Sequence, residues 1–250
     1  MTSTAPTAAK THKRRGPGRE ILYRALLMLW ALTLLVLFGT WRSILTPWVA
    51  FQDTADHGWD RTAELHRLAD SASAVLMVAI AAASVVLVTR PAHRSGMAAW
   101  IAGSLAAVGL AVPVSGHLQG HAAADGLITA GVWLALTAVT FVVVAPDGRA
   151  VARGGLADGS APPAHARLLL AVGGIVGIGA ALTAVVWRSA GGVFESARED
   201  DVVGFVLLGL SFALGCRLCQ TGREGWRALC VILACVAGYV LVGGMTLALP

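Results

Sequence analysis

Long continuous runs of apolar residues dominate the chain, and its polar residues are concentrated between them. The hydrocarbon core of a bilayer is about 30 Å thick, so a helix needs about 20 apolar residues to cross it. Seven runs meet that length, and none shows the alternation of a β-strand. Because backbone polar groups find no partners in lipid, each run is predicted to be helical. The predicted spans are 21–41, 68–89, 96–114, 122–145, 167–187, 202–219 and 226–248.

The composition agrees with a membrane location and excludes a soluble or disordered chain. Hydrophobic residues make up 56% of the 250 residues and charged residues 13%, with a mean hydropathy of +0.72. Soluble domains are about 45–50% apolar and about 25% charged. The predicted fold class is therefore all-α, a polytopic integral membrane protein of about seven transmembrane helices, the first four forming a bundle.

Changes in composition along the chain divide it into four regions. Residues 1–20 form a basic tail rich in Ala, Thr and Pro, which we expect to be disordered. Residues 21–145 form the predicted four-helix membrane bundle. Residues 146–166 are rich in Gly, Ala and Pro and are predicted to be a cytoplasmic linker. Residues 167–250 form a three-helix membrane region, and no repeat relates it to the first half.

The distribution of charge predicts the orientation. With the N-terminus inside, fourteen of the 19 Lys and Arg residues fall in inner segments, and ten of the 14 acidic residues fall outside. An excess of Lys and Arg marks cytoplasmic loops. We therefore expect a multi-pass protein of the plasma membrane, with a cytoplasmic N-terminus and an external C-terminus. Because topology accounts for the basic residues, and no nucleic-acid-binding module surrounds them, no nucleic acid partner is predicted.

Histidines mark the outer ends of predicted spans two and four. His66 and Arg67 open the second span, and His117 and His121 precede the fourth. Ionisable residues at membrane depth are functional candidates, and imidazole is a ligand of haem iron, copper and zinc. The leading hypothesis is a b-type haem held by His66 and His121, with His117 as the reserve ligand. A copper or zinc site using His57, His117 and His121 stays open, as do histidines that only hydrogen-bond at the membrane boundary.

Charged residues near these histidines fit a haem site. Asp70 and Asp125 each lie one turn beyond a predicted ligand, where a carboxylate accepts the second N–H of a ligating imidazole. Arg67, with Arg61, is placed to pair with the haem propionates near the lipid headgroups. Cofactor-binding residues are thus expected on both predicted helices.

Two stretches resemble haem A synthase. Residues 62–69 run through His66-Arg67 into an apolar helix, similar to the opening of that family's second helix. Residues 119–128, Gln-Gly-His-Ala-Ala-Ala-Asp-Gly-Leu-Ile, are similar to its fourth helix, which also starts with a haem-ligating histidine. The resemblance covers 20–145 and implies one haem-binding four-helix bundle at the outer side.

The chain also departs from that family. The family has a second histidine pair, whereas the last three predicted spans here contain no histidine. The family's outer cysteine pair is absent from 42–67, and Glu64 stands two residues before His66 where the family's glutamate stands three before its histidine. These departures argue against haem A synthesis itself, and no enzyme class follows.

Four cysteines lie near the C-terminus. Cys216 and Cys219 form a CxxC pattern at the inner end of the sixth span, and Cys230 and Cys235 lie in the seventh. A four-cysteine zinc site would need Cys235 to reach the surface from more than two turns into the membrane. Burial as small apolar side chains is the favoured interpretation, and the role of the four residues is left open.

Glycines on the fifth span form a small-residue face. Gly173 and Gly177 are four residues apart and allow close helix contact, either within the chain or with a membrane protein partner or a second copy. Two further functional hypotheses remain beside haem binding. One is a cofactor-free membrane scaffold or accessory subunit, and the other is a small transporter.

Overall fold

The computed structural model describes residues 17–37, 40–48, 63–118, 123–189 and 199–248. Within these ranges the backbone is helical, apart from turns and an isolated antiparallel bridge between Ala157 and Arg223. The predicted all-α class is confirmed for the described chain.

Most of the described helices are long, and two of them change pitch near their ends. A π-helical stretch continues α1 at Thr33–Leu37, and another continues α5 at Val139–Val144. A short 3-10 turn, Pro91–His93, precedes α4. The α-helices are α1 (Pro17–Leu32), α2 (Thr40–Ser43), α3 (Ala63–Thr89), α4 (Ser95–Leu118), α5 (Ala123–Ala138), α6 (Gly148–Ala152), α7 (Ala164–Ser189), α8 (Glu199–Gln220) and α9 (Trp226–Ala248).

Six of the described helices are long and apolar enough to cross a membrane, with mean hydropathies of 1.8 to 2.4. The six predicted spans from 68–89 to 226–248 are therefore confirmed as apolar helices of membrane-spanning length. The predicted first span, 21–41, is not among them. The six apolar stretches are Arg67–Thr89, Ser95–Val114, Gly126–Val144, Ala164–Val186, Val202–Gln220 and Trp226–Leu247.

Helix α3 is central in the described part of the molecule. It packs against α1, α4, α8 and α9. Helix α4 in turn packs against α5 and α8, and α1 reaches the π-helical end of α5. Helices α1, α3, α4 and α5 thus form a ring of contacts, in which each helix contacts two others. Helices α3 and α5 lie on opposite sides of this ring, with α1 and α4 between them.

One apolar core joins the two halves of the chain. Buried side chains of α1, α3, α4 and the end of α5 form a single cluster with those of α8 and α9. Trp100 on α4 is fully buried, and its Nε1 donates to the carbonyl oxygen of Ser211 on α8 at 2.8 Å. The large apolar side chains outside this core face outwards, as expected where lipid replaces water.

Helix α7 packs mainly against α8 through its small-residue face. A Cβ on Gly177 would lie 2.7 Å from the carbonyl oxygen of Gly209, and one on Gly173 would lie 3.2 Å from the sulfur of Cys216. The absence of a side chain on Gly177 lets the two helix backbones approach closely at this point. Gly179, on the same helix, faces open space. The close contact predicted for Gly173 and Gly177 is thus made within the chain.

The start of α4 and the loops before α7 and α9 meet at one end of the molecule, in a group that we call the loop junction: Ser95, Gly96, Gly155, Leu156 and Glu224. The Ser95 hydroxyl donates to Oε2 of Glu224 at 2.6 Å and accepts from the backbone N–H of Leu156 at 2.8 Å. Gly155 has φ +84° and lies so close to the backbone of Gly96 that a Cβ there would overlap it. The start of α4 and these two loops are therefore fixed to one another.

The loop junction lies at the end of the molecule that gathers the segments predicted to be cytoplasmic. Four helices begin at this end of the molecule, namely α1, α4, α7 and α9. Three others finish there, namely α3, α5 and α8. Arg67 lies at the opposite end. The arginines at the junction end are Arg19, Arg24, Arg90, Arg94, Arg149, Arg153, Arg167, Arg217, Arg223 and Arg227.

Candidate functional site

The predicted haem ligands belong to the end of the helices opposite the loop junction. His66 is in the first turn of α3, His117 is near the end of α4, and His121 precedes α5. Helices α3 and α5 both begin at this end. The side chains of His66, His117, Asp70 and Asp125, and the whole of His121, lie outside the described residues. The ligand geometry therefore stays a prediction.

Arg67, the predicted partner of the haem propionates, binds backbone carbonyl groups. Its Nε donates to the oxygen of Thr46 and its Nη2 to that of Pro47, both at 2.8 Å. The hydroxyl of Thr46 donates to the carbonyl oxygen of Arg67 at 3.2 Å. The guanidinium thus fixes the segment after α2 to the start of α3. Arg61 and His57, which belong to the same hypotheses, lie outside the described residues.

Helix α9 holds the same segment from the other side. The Tyr239 hydroxyl donates to the carbonyl oxygen of Ile44 at 2.5 Å, and Nε1 of Trp48 donates to the hydroxyl of Thr246 at 3.1 Å. The rings of Trp48 and Tyr239 meet edge to face with centroids 5.3 Å apart. Tyr239 and Ile44 are 195 residues apart, so no local pattern in the sequence predicts the contact between α9 and the segment after α2.

Two tryptophans fill the space between α1, α4 and α5. Nε1 of Trp30 donates to the hydroxyl of Thr140 at 3.2 Å, and Nε1 of Trp133 donates to the carbonyl oxygen of Leu105 at 2.7 Å. The two indole rings meet edge to face with centroids 4.8 Å apart. Gly109 leaves room for Trp133, because a Cβ there would lie 2.6 Å from its ring. A porphyrin between these helices would have to lie nearer to the histidine-bearing ends than the two tryptophans.

Three of the four cysteines come together where α8 meets α9. Cys216 and Cys219 are buried, and Cys230 is half-buried beside them. The Cys219 thiol also contacts the carbonyl oxygen of Trp226 at 3.4 Å. Cys235 is exposed on α9. Among the residues that the structure describes, no group of three or more His, Cys, Asp or Glu side chains is arranged to hold a metal ion.

A cleft of about 600 Å³ opens at the end that carries the loop junction. Its walls are the start of α1, the loop between α3 and α4, and the segment that follows α5. Leu156 and Glu224 of the loop junction also line it. The volume is within the range of about 300–1,000 Å³ typical of ligand sites. The charged side chains of the lining are those of Arg19, Arg24, Arg90, Glu20, Asp147 and Glu224.

The carboxylates of the cleft already have partners within the chain. Glu20 pairs with Nη2 of Arg24 at 2.6 Å, on the exposed surface of α1. Oδ1 of Asp147 accepts the backbone N–H of Ala150 at 3.2 Å and so caps α6. Glu224 accepts the hydroxyl of Ser95 in the loop junction.

The arginines of the cleft have fewer hydrogen-bond partners within the chain than their donor groups allow. Arg19 donates from Nε to the carbonyl oxygen of Val144 at 3.1 Å. The guanidinium of Arg90 makes no hydrogen bond or ion pair that involves the described part of the chain. Burial and, second, the positive charge of Arg90 lower the pKa of the neighbouring Arg94. The three arginines of the lining thus equal its three carboxylates in number, and Arg90 is the arginine whose guanidinium has no partner among the described residues.

Sequence reasoning missed this cleft, because segments distant along the chain form it. The available signal was a short loop carrying Arg90, His93 and Arg94, predicted to lie on the same side as Arg19 and Arg24. Comparison of the chain with known protein families, with curated proteins and with solved structures finds no match.

Proposed function

We propose that α1 and its π-helical continuation form a seventh membrane span ahead of the six. The 16 residues of α1 and the 5 residues of the continuation are contiguous. They extend about 30 Å at about 1.5 Å per residue, which matches the hydrocarbon core. The outward side of this helix is covered by large apolar side chains that need lipid around them: Ile21, Leu29, Leu32 and Val36, each 57–68% exposed.

In this proposal the protein lies in the plasma membrane. The loop junction and the N-terminus face the cytoplasm. The support is the concentration of arginines at the junction end, since Lys and Arg mark cytoplasmic loops. Seven spans then put the C-terminus outside. The end of α3 that carries His66 lies on the outer side.

The first four spans, α1, α3, α4 and α5, are proposed to form a bundle that holds one b-type haem between His66 and His121. The observation that carries this proposal is the closed order of contacts among the four helices, in which α3 and α5 are opposite and begin at the same end. Cofactor ligands in a bundle project inward from facing helices. Such a haem would serve electron transfer, sensing or cofactor assembly at the outer face.

Arg67 and His117 have supporting roles in the proposed site. Arg67 directly follows His66, so its two bonds to the segment after α2 also fix the turn that carries this ligand. His117, near the end of α4, is the reserve ligand. The resemblance of residues 62–69 and 119–128 to haem A synthase favours the same pair of histidines.

The absorption spectrum of the detergent-purified protein tests the haem proposal. We expect a Soret band, sharp α and β bands on reduction, and loss of this low-spin spectrum in both His66→Ala and His121→Ala, with membrane insertion verified. His93→Ala is the matched control, because this exposed histidine lies at the opposite end. A colourless protein from cells supplied with haem precursors, or an unchanged spectrum in both variants, contradicts the proposal.

A cofactor-free membrane scaffold is the second candidate, and the packing of Trp30 against Trp133 favours it. These rings already fill the space between α1, α4 and α5, where a cofactor would otherwise lie. A colourless protein with no bound metal by elemental analysis would support this function over haem binding.

A further inference from the structure

We propose that the cleft between α1, the α3–α4 loop and the segment after α5 binds the phosphate group of an anionic phospholipid. This site is independent of the haem proposal, because it lies at the opposite end of the same helices and uses none of the predicted ligands.

The position of the cleft matches the depth of lipid phosphates. Thr89 and Val144 both line it. Thr89 is the last residue of the apolar stretch of α3, and Val144 is the last residue of that of α5. The cleft therefore opens where these helices leave the hydrocarbon core, which is the level of the headgroups.

The charge of the cleft suits a phosphate. Arginine binds phosphate with two parallel N–H bonds, and the guanidinium of Arg90 has no partner that involves the described residues. Arg19 commits its Nε to a carbonyl oxygen. Arg24 is engaged in an exposed i,i+4 pair with Glu20, and such pairs are weak enough to open for a ligand.

The three carboxylates of the lining are engaged within the chain, Glu20 with Arg24 and the other two with neutral donors. Asp147 is engaged as the cap of α6, and Glu224 accepts a hydrogen bond from Ser95. Arg94 lies beside Arg90, whose positive charge is the second cause, after burial, of the lowered pKa of Arg94. A phosphate there would relieve the repulsion between these two arginines.

Apolar surface beside the cleft favours a lipid over free phosphate. Ile21 and Leu22 directly follow Glu20 of the cleft and are 68% and 49% exposed. Val143, next to Val144, is 57% exposed. These side chains offer contact to acyl chains that free phosphate would not use. Basic pockets between membrane helices on the cytoplasmic side are known headgroup sites.

Native mass spectrometry of the purified full-length protein, titrated with phosphatidylglycerol, tests the proposal. The mass of the adduct identifies the ligand, so parallel titrations with phosphatidylcholine and with inorganic phosphate separate the sources. We expect a preference for phosphatidylglycerol and a roughly tenfold weaker affinity in Arg90→Gln, since a hydrogen bond to a charged group is lost. Arg153→Gln is the matched control, because Arg153 is exposed at the same end and does not line the cleft.

Arg24→Gln provides a second variant if Arg90→Gln is not monodisperse and helical by circular dichroism, and the same weakening is expected. Equal affinity for phosphatidylglycerol and phosphatidylcholine overturns the proposal, as does equal binding by the cleft variants and Arg153→Gln. Adducts of inorganic phosphate, or displacement of the lipid by it, overturn the assignment to a phospholipid.

Discussion

Replacing Gly177 by alanine tests the contact between α7 and α8. The new Cβ would lie 2.7 Å from the carbonyl oxygen of Gly209, whereas ordinary van der Waals contact begins at 3.4 Å. It would also lie 3.3 Å from the backbone nitrogen of Ala213. Because these neighbours are backbone atoms, no side chain can rotate away, and α7 must move outwards by roughly 0.7 Å.

The magnitude follows from comparison with Gly179→Ala on the same helix. Overpacking of a tight contact costs about 1–3 kcal/mol. Alanine also gains up to about 1 kcal/mol of helix propensity over glycine, and both variants gain it. Nothing lies within 4 Å of a Cβ on Gly179, so that variant carries the propensity gain alone. We therefore expect Gly177→Ala to be less stable than Gly179→Ala by about 1–3 kcal/mol.

Equilibrium unfolding in mixed micelles of a nonionic detergent and dodecyl sulfate measures this difference, with helicity followed by circular dichroism. Both variants keep the same charge and differ only in which side of α7 carries the methyl group. If Gly177→Ala proved as stable as Gly179→Ala, the two helices could not be as close as described, and the small-residue face would have to serve another contact.

The remaining predictions concern the loop junction, the thiols and the topology. Ser95→Ala removes the hydroxyl that links Glu224 to the backbone of Leu156. We therefore expect the free energy of unfolding to fall by about 1–3 kcal/mol in the same assay. An unchanged free energy would show that the loop junction is not formed. The double variant Cys216→Ala/Cys219→Ala should keep its assembly and any bound cofactor, because the thiols act as small apolar groups; loss of a metal or of colour would refute this. A reporter inserted near Gly159 should be active in the cytoplasm and one fused to the C-terminus outside, and a cytoplasmic C-terminus would disprove the seven-span topology.

The apolar helices could be predicted from sequence because length and hydropathy determine them. The predicted span 96–114 and the observed stretch Ser95–Val114 differ by one residue at one end. In lipid an apolar run of that length has no alternative to the helix.

The partners of polar side chains could not be predicted in this way. Arg67 follows a histidine, and its charge predicts a haem propionate as its partner. In the fold it satisfies the carbonyl groups of Thr46 and Pro47, which follow the short helix α2 and have no helical partner of their own. Likewise, Gly173 and Gly177 predicted a close contact but not which helix would supply it, because that depends on the packing of the whole chain.

The loop junction has a consequence for how the protein is made. The first N–H groups of α4, at Gly96 and Met97, donate to the carbonyl oxygen of Glu224 at 3.1 and 3.3 Å. The residue that caps α4 is thus synthesised 129 positions after Ser95. At about 5–20 residues per second, the ribosome needs roughly 6–26 s to reach it. During that interval the first N–H groups of α4 depend on water or headgroups for their hydrogen bonds. Synthesis of the segment that leads into α9 is therefore the step that completes α4.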